Sequence, residues 1–222
     1  MSVANNLKKI KSEIPSHIKL IAVTKTYPAE KILEAYDSDH KIFGENRVQE
    51  LVPKHQDLPK DIEWHLIGHL QTNKVKYIAP FVSLIHSADS LKLLQEINMC
   101  AEKSRRMIDC LLQIHIAQEE TKFGLNFEKA EEILSSKELP EMKNIRITGV
   151  MGMATLTENE NQIRKEFKSL KSFFDSHCRL PVANCQLEIL SMGMSSDYKI
   201  AIEEGCNMIR VGSLIFGERK QH

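Results

Sequence analysis

Eight short apolar runs, each followed by a stretch of helical spacing, dominate this 222-residue sequence. The runs lie at 20–23, 41–46, 64–70, 84–89, 108–116, 145–151, 187–192 and 208–212. A short continuous apolar run bounded by Gly, Pro or polar residues reads as a strand buried on both faces, the mark of a parallel sheet. Parallel neighbours need a crossover, and the intervening segments have helical length and spacing. They lie at 29–36, 48–55, 73–81 (stopped around Pro80), 91–105, 127–134 and 160–177. Ser196-Asp197 is placed to cap a helix ending at Gly205, and Leu214-Ile-Phe216 to start a last turn. Val3, Leu7, Ile10 and Ile14 recur at helical spacing ahead of the first strand, and Pro15 ends that helix. Eight alternations are the count of a TIM (β/α)8 barrel. The expectation is an α/β chain, residues 1–222 as a single barrel domain with an extra N-terminal helix. A doubly wound open sheet is the alternative. No G-x-G-x-x-G follows an early strand, which counts against its dinucleotide-binding form.

A chain of this size buries roughly 70% of its unfolded surface and needs no staples. Its 30 Lys and Arg balance 30 Asp and Glu, so no basic excess points to nucleic acid or an anionic membrane surface. No signal-peptide core opens the chain, and no stretch reaches the ~18 apolar residues of a membrane span. A cytoplasmic protein is expected. Cys100, Cys110, Cys178, Cys185 and Cys206 are odd in number and form no C-x-x-C, which argues against a disulfide framework and structural zinc.

Chemistry enters with the first strand. Leu20-Ile-Ala-Val23 runs straight into Thr24 and Lys25, and Pro28 stops it. Lys25 therefore sits at the C-terminal strand edge, where active sites of parallel α/β folds lie. Burial there disfavours the charged amine, and a neutral amine attacks carbonyls to form a Schiff base. A lysine snorkelling to water is the plainer reading of that stretch alone. The exits of the last two strands, Ser191-Met-Gly-Met-Ser-Ser-Asp197 and Arg210-Val-Gly-Ser-Leu-Ile-Phe-Gly217, are polar and carry glycine. In TIM barrels these two loops often build a phosphate site, from close-approaching backbone N–H groups and a helix N-terminus. Ser195, Ser196 and Ser213 add hydroxyl donors. First and last strands are neighbours in a closed barrel, so Lys25 adjoins this site. A Schiff-base lysine beside a phosphate cup fits pyridoxal phosphate (PLP) or the sugar phosphate of a lysine aldolase. Arg210 shares an inward face with Met208 and Gly212. An arginine there suits a PLP ring nitrogen, which it would keep unprotonated, or an ordinary ion pair.

Several longer stretches carry a resemblance. They are Ala22-Val-Thr-Lys-Thr-Tyr-Pro28, Phe43-Gly-Glu-Asn-Arg-Val-Gln-Glu50, Trp64-His-Leu-Ile-Gly-His-Leu-Gln-Thr-Asn-Lys74, Thr121-Lys-Phe-Gly124, Gly149-Val-Met-Gly-Met153 and Leu190-Ser-Met-Gly-Met-Ser-Ser-Asp197, with the Arg210–Gly217 stretch above. In order along almost the whole chain, they resemble the PLP homeostasis protein family (the YggS/PROSC type). That family is similar to the barrel domain of alanine racemase, a fold-type III PLP protein. The resemblance implies a protein of intracellular PLP (vitamin B6) and amino-acid homeostasis that holds PLP as a Schiff base on Lys25. It implies that Ser195, Gly212 and Ser213 hold the phosphate, that Arg210 faces the ring nitrogen, that Asn46 lies near the ring, and that Met151 and Met192 wall the pocket. Thr24 and Ser213 stand where the family commonly has Ser and Thr, and Tyr27 where many members have Lys.

Alanine racemases follow the barrel with a β-rich domain that supplies a tyrosine to the partner's site. Here the chain ends at His222, soon after the eighth strand, so no such second base is expected. A PLP carrier without catalytic residues is the expectation, a monomer with PLP-dependent apoenzymes as possible recipients. A small amino-acid racemase is the alternative, and a lysine aldolase or sugar-phosphate isomerase the third reading. His65 and His69 share a strand face and, with His86 and His115, raise the question of a metal. They lack carboxylates at ligand spacing, so none is expected.

Overall fold

A computed structural model of the chain describes residues 2–119, 123–178 and 184–217. Eight parallel strands close into a barrel in sequence order: β1 (Lys19–Val23), β2 (Ile42–Glu45), β3 (Glu63–Leu66), β4 (Leu84–Ala88), β5 (Ile108–Ile114), β6 (Ile145–Gly152), β7 (Cys185–Ser191) and β8 (Met208–Val211). β1 closes the ring against β8, with Ile21 opposite Arg210 and Ala22 opposite Val211. Around it run α1 (Val3–Glu13), α2 (Ala29–Tyr36), α3 (Val48–Asp57), α4 (Val75–Ile78), α5 (Leu91–Lys103), α6 (Phe127–Leu134), α7 (Glu160–His177), α8 (Tyr198–Glu203) and the single turn α9 (Ser213–Phe216).

The helix starts follow local chemistry. Ser2, Ser90, Asn126 and Asn159 each accept a hydrogen bond from the backbone N–H three residues on. Asp197 departs from the expected cap. It occupies the N-cap of α8, yet its carboxylate accepts from the Met194 N–H at 2.5 Å, tightening the loop that precedes the helix.

Alternation divides each strand between two environments. On β1, Leu20 and Ala22 pack outward into the layer between barrel and helices, with Phe43, Trp64, Ile85 and Val211. Ile21 packs inward with Leu84, Leu111, Met151 and Met208, an apolar plug inside the barrel. Two residues further along their strands from Leu84, Ile189 and Met208 come His86, Ser191 and Arg210, all buried. The interior thus turns polar toward the C-terminal strand ends.

Two strands stop two or more residues earlier than the apolar runs suggest. β3 ends at Leu66 rather than at 70, and β5 at Ile114 rather than at 116. After Leu66 the chain keeps one more ladder bond, Ile67 N–H to Glu45 O at 2.8 Å. Then Gly68 passes so close to β2 that a Cβ there would lie 2.3 Å from Asn46 O. No helix of the described residues is long and apolar enough to cross a membrane.

Three buried histidines give a pH signature. Burial lowers His40 to about 4 and His65 to about 3, and holds His86 well below the usual histidine value. Each is neutral when folded and protonates near 6.5 when unfolded, so the unfolded chain binds more protons below that pH. Stability is therefore whole above about pH 6.5 and falls as pH drops, by about 1.4 kcal/mol per pH unit for each histidine. Urea unfolding between pH 7.5 and 4.5 checks this, and His40→Gln is expected to flatten the slope by about one proton's worth.

Candidate functional site

Lys25 continues the inward parity of Ile21 and Val23, and the loop that carries it is pinned from outside. The Thr24 hydroxyl points away from the barrel interior and donates to Glu45 Oε1 at 2.6 Å. Lys54 on α3 donates to Glu45 Oε1 at 2.5 Å and to the Thr24 carbonyl at 2.9 Å. Glu50, one turn earlier, accepts from the Thr26 N–H at 2.9 Å. That bond fixes Thr26 at φ 69°, a left-handed conformation unusual for a β-branched residue. Burial pushes the Glu45 carboxyl up, against Lys54 and Thr24, which pull it down. On the far side, Tyr27 donates its hydroxyl to the Gly217 carbonyl and packs on Phe216. The β1 exit is thus fastened both to α3 and to the chain after β8.

At the C-terminal strand ends lies a cavity of about 510 Å³. Lys25, Asn46, Ser195, Arg210, Gly212 and Ser213 all line it. Six residues expected at one site from widely separated stretches thus meet at one place. Met192 does not join them: it is fully buried in the layer between barrel and helices. The reason is parity. Ser191 faces inward, so its neighbour faces out. Met151 belongs to the interior plug, and the methionines on the cavity wall are Met153 and Met194.

The phosphate-cup candidates cluster as the loop order predicts. The Ser195 hydroxyl accepts from the Gly212 N–H at 3.2 Å, tying the β7 exit to the β8 exit. The Arg210 N–H reaches the Gly193 carbonyl at 3.0 Å, a second tie between these exits. Arg210 itself is buried, and burial lowers its guanidinium to about 10, still a cation at neutral pH. It donates from Nη1 to Ser191 Oγ at 2.6 Å and from Nη2 to the Gly152 carbonyl at 3.0 Å. Neither partner is a carboxylate, so the ion-pair reading of Arg210 does not describe its hydrogen bonds.

The histidines sort differently from a metal site. His65 pairs with His86 inside the barrel. His69 lies beyond the end of β3 on the cavity wall, bonded to Asp89 at 3.1 Å and stacked on Phe123 at 4.1 Å. His115 bonds the Glu119 carbonyl. No group of three or more metal-ligating side chains occurs among the described residues. The brace of Glu45, Glu50 and Lys54 escaped sequence reading, although Glu50 and Lys54 at i,i+4 were a signal. Thr121 and Lys122 of the Thr121-Lys-Phe-Gly124 stretch lie outside the described residues, while Phe123 and Gly124 continue β5's exit.

With this geometry in place, known proteins can be set beside it. The family model described as alanine racemase, N-terminal domain, matches residues 1–220. A pyridoxal phosphate homeostasis protein of Aquifex aeolicus is 43% identical over 204 residues, 91% of this chain and 87% of the relative. The chain belongs to the pyridoxal phosphate homeostasis protein family. Among solved family structures, PipY of Synechococcus elongatus with PLP bound aligns at a TM-score of 0.86 and 34% identity, over 97% of this chain and all (100%) of PipY. An alanine racemase of Clostridium difficile aligns at a TM-score of 0.76 and 16% identity, covering 99% of this chain and 57% of the racemase. That likeness is one of fold. The family's barrel and its N-terminal helix are thus the fold of this chain.

The buried brace should be sensitive to the loss of its cation. Lys54→Met strands the buried Glu45 carboxylate and is expected to cost about 3 kcal/mol of unfolding free energy. Lys31→Met, at an ion pair whose side chains are 44% and 42% exposed, should cost less than about 0.5 kcal/mol. Parallel urea titrations measure both.

Proposed function

We propose that the cavity binds pyridoxal 5'-phosphate and that the chain works in intracellular PLP homeostasis, holding and releasing the cofactor rather than turning over a substrate. The observation that carries this reading is the meeting of Lys25, Arg210 and the Ser195–Gly212–Ser213 cluster in one cavity. The donor set fits the group. A primary amine is there for an aldehyde, hydroxyl and amide donors for a phosphate, and a buried guanidinium for a neutral ring nitrogen. PipY, a family member, has been solved with PLP bound.

When bound, PLP supplies an aldehyde and an electron-withdrawing ring. Each role below belongs to the protein. Lys25 is the amine that anchors the cofactor covalently, and the Thr24–Glu45–Lys54 brace keeps its loop from drifting. Ser195, Ser213 and the backbone around Gly212 receive the phosphate at the β7 and β8 exits. Arg210 offers only N–H donors, so it accepts a ring nitrogen that carries no proton and weakens the ring as an electron sink. Asn46 borders the ring, and Met192 acts from behind, by packing the outer layer. The reading takes the chain as a cytoplasmic monomer that exchanges PLP with PLP-dependent apoenzymes. Supporting it, relatives such as the Aquifex aeolicus protein carry the name of homeostasis proteins.

One observation favours the small-racemase alternative: His69, hydrogen-bonded to Asp89, lines the same cavity as Lys25. Exchange of the α-proton of L-alanine in D2O separates the two. The carrier reading expects no exchange above that of free PLP.

The deciding experiment is borohydride reduction of the protein with PLP, followed by peptide mass mapping. A yellow protein with phosphopyridoxyl on Lys25, lost in Lys25→Ala, is the expected result. A colourless protein without the adduct would overturn the reading and favour a sugar-phosphate barrel. Ser213→Ala should weaken PLP binding by about ten- to hundredfold, the loss of one hydrogen bond to a charged group.

A further inference from the structure

Behind the cavity, the barrel interior holds a line of polar side chains that the PLP reading leaves unused. His65 Nδ1 lies 3.0 Å from His86 Nε2, His86 Nδ1 lies 3.2 Å from Ser191 Oγ, and Ser191 Oγ accepts from Arg210 Nη1 at 2.6 Å. His65, His86 and Ser191 are at most 2% exposed. Polar groups so deep in a barrel need partners, and here Ser191 Oγ, both nitrogens of His86 and Nδ1 of His65 find them in this line.

The proton positions in this line follow from two facts: a guanidinium can only donate, and a buried hydroxyl proton needs an acceptor. Ser191 Oγ accepts from Arg210, and its only other hydrogen bond among the described residues is to His86. Its own proton therefore goes to His86 Nδ1. His86 is neutral, because burial and the nearby Arg210 charge both oppose its protonation. Its single proton then sits on Nε2 and is donated to His65 Nδ1, which leaves the His65 proton on Nε2. The line runs one way, from Ser191 through His86 to His65.

Such a line carries no charge. A carboxylate in place of Ser191 would fix Arg210 equally well but would cancel its charge. The neutral line fixes the side chain and leaves the cationic charge facing the cavity. Two of the five guanidinium N–H donors are spent on Ser191 and Gly152, which fixes the side chain where it lines the cavity. We propose that Ser191, His86 and His65 are positioning residues that hold Arg210 as a directed cationic donor toward the cavity, and so select a ligand ring whose facing atom is an uncharged acceptor. This rests on the PLP reading of the cavity.

The test is a specificity ratio. Wild type, Ser191→Ala and Ser191→Thr are titrated with PLP and with its N-methylpyridinium analogue, followed by absorbance. The ¹⁵N shifts of the histidines are recorded in wild type without ligand. Wild type should prefer PLP by on the order of tenfold or more, the worth of a charge-assisted hydrogen bond. Ser191→Ala should bring the ratio to within about threefold, and Ser191→Thr, which keeps the hydroxyl, should restore it. Looser folding alone would weaken both ligands together. An unchanged ratio in Ser191→Ala, or a His86 proton found on Nδ1, overturns the proposal while leaving PLP binding intact. A wild type that binds neither ligand overturns the PLP reading, and this proposal with it.

Discussion

Everything at the candidate site depends on one set of backbone hydrogen bonds, those that close β1 against β8. Neither strand means much without the other. β1 carries Lys25 just past its end, and β8 carries Arg210 within it and Gly212 and Ser213 just beyond. The register that sets Ile21 opposite Arg210 brings residues near the two ends of the chain into one cavity. One seam of the barrel is broader. β5 and β6 are paired over seven residues, from Ile108 with Ile145 to Ile114 with Gly152. The closing seam is reinforced by side chains instead: Tyr27 bonded to Gly217 and packed on Phe216, and Asn6 of α1 donating to the Ile215 carbonyl.

The buried polar groups divide into two sets with different work. Outside the barrel wall, Thr24, Glu45, Lys54 and Glu50 hold a loop in place, Thr26 in its left-handed turn included. That set mixes charges of both signs, as a structural brace can. Inside the wall, His65, His86, Ser191 and Arg210 have a single formal charge among them, and it belongs to the residue that meets the cavity. Sheet pleating keeps the sets apart. Thr24 and Lys25 are adjacent in sequence, yet one side chain joins the outer brace and the other the cavity.

Much of this was legible in the sequence, for identifiable reasons. Eight apolar runs gave eight strands because each strand is buried on both faces. Helices such as Ala29–Tyr36, Phe127–Leu134 and Glu160–His177 were legible to the residue, since proline or polar caps bound them. Lys25, Arg210 and the two glycine-containing exits were legible because barrel order makes the first strand adjoin the last. The ends of β3 and β5 were not, because an apolar run continues past the point where the chain leaves the ladder. Met192 was misplaced although the alternation of Leu190-Ser-Met192 was a signal: polar Ser191 faces inward, so Leu190 and Met192 share the outward face. The pairing of His65 with His86 joins neighbouring strands 21 residues apart, and its meaning rests on hydroxyl and guanidinium directions that spacing does not encode.

The closing seam also has a consequence in time. A chain made from its N-terminus has Lys25 in place long before Arg210 and Ser213 arrive. The cavity therefore has no partial form: a nascent chain still lacking its last strand has the amine without the cup. Any small molecule that needs both will recognise only finished molecules, and its occupancy counts completed barrels, stabilising them in proportion.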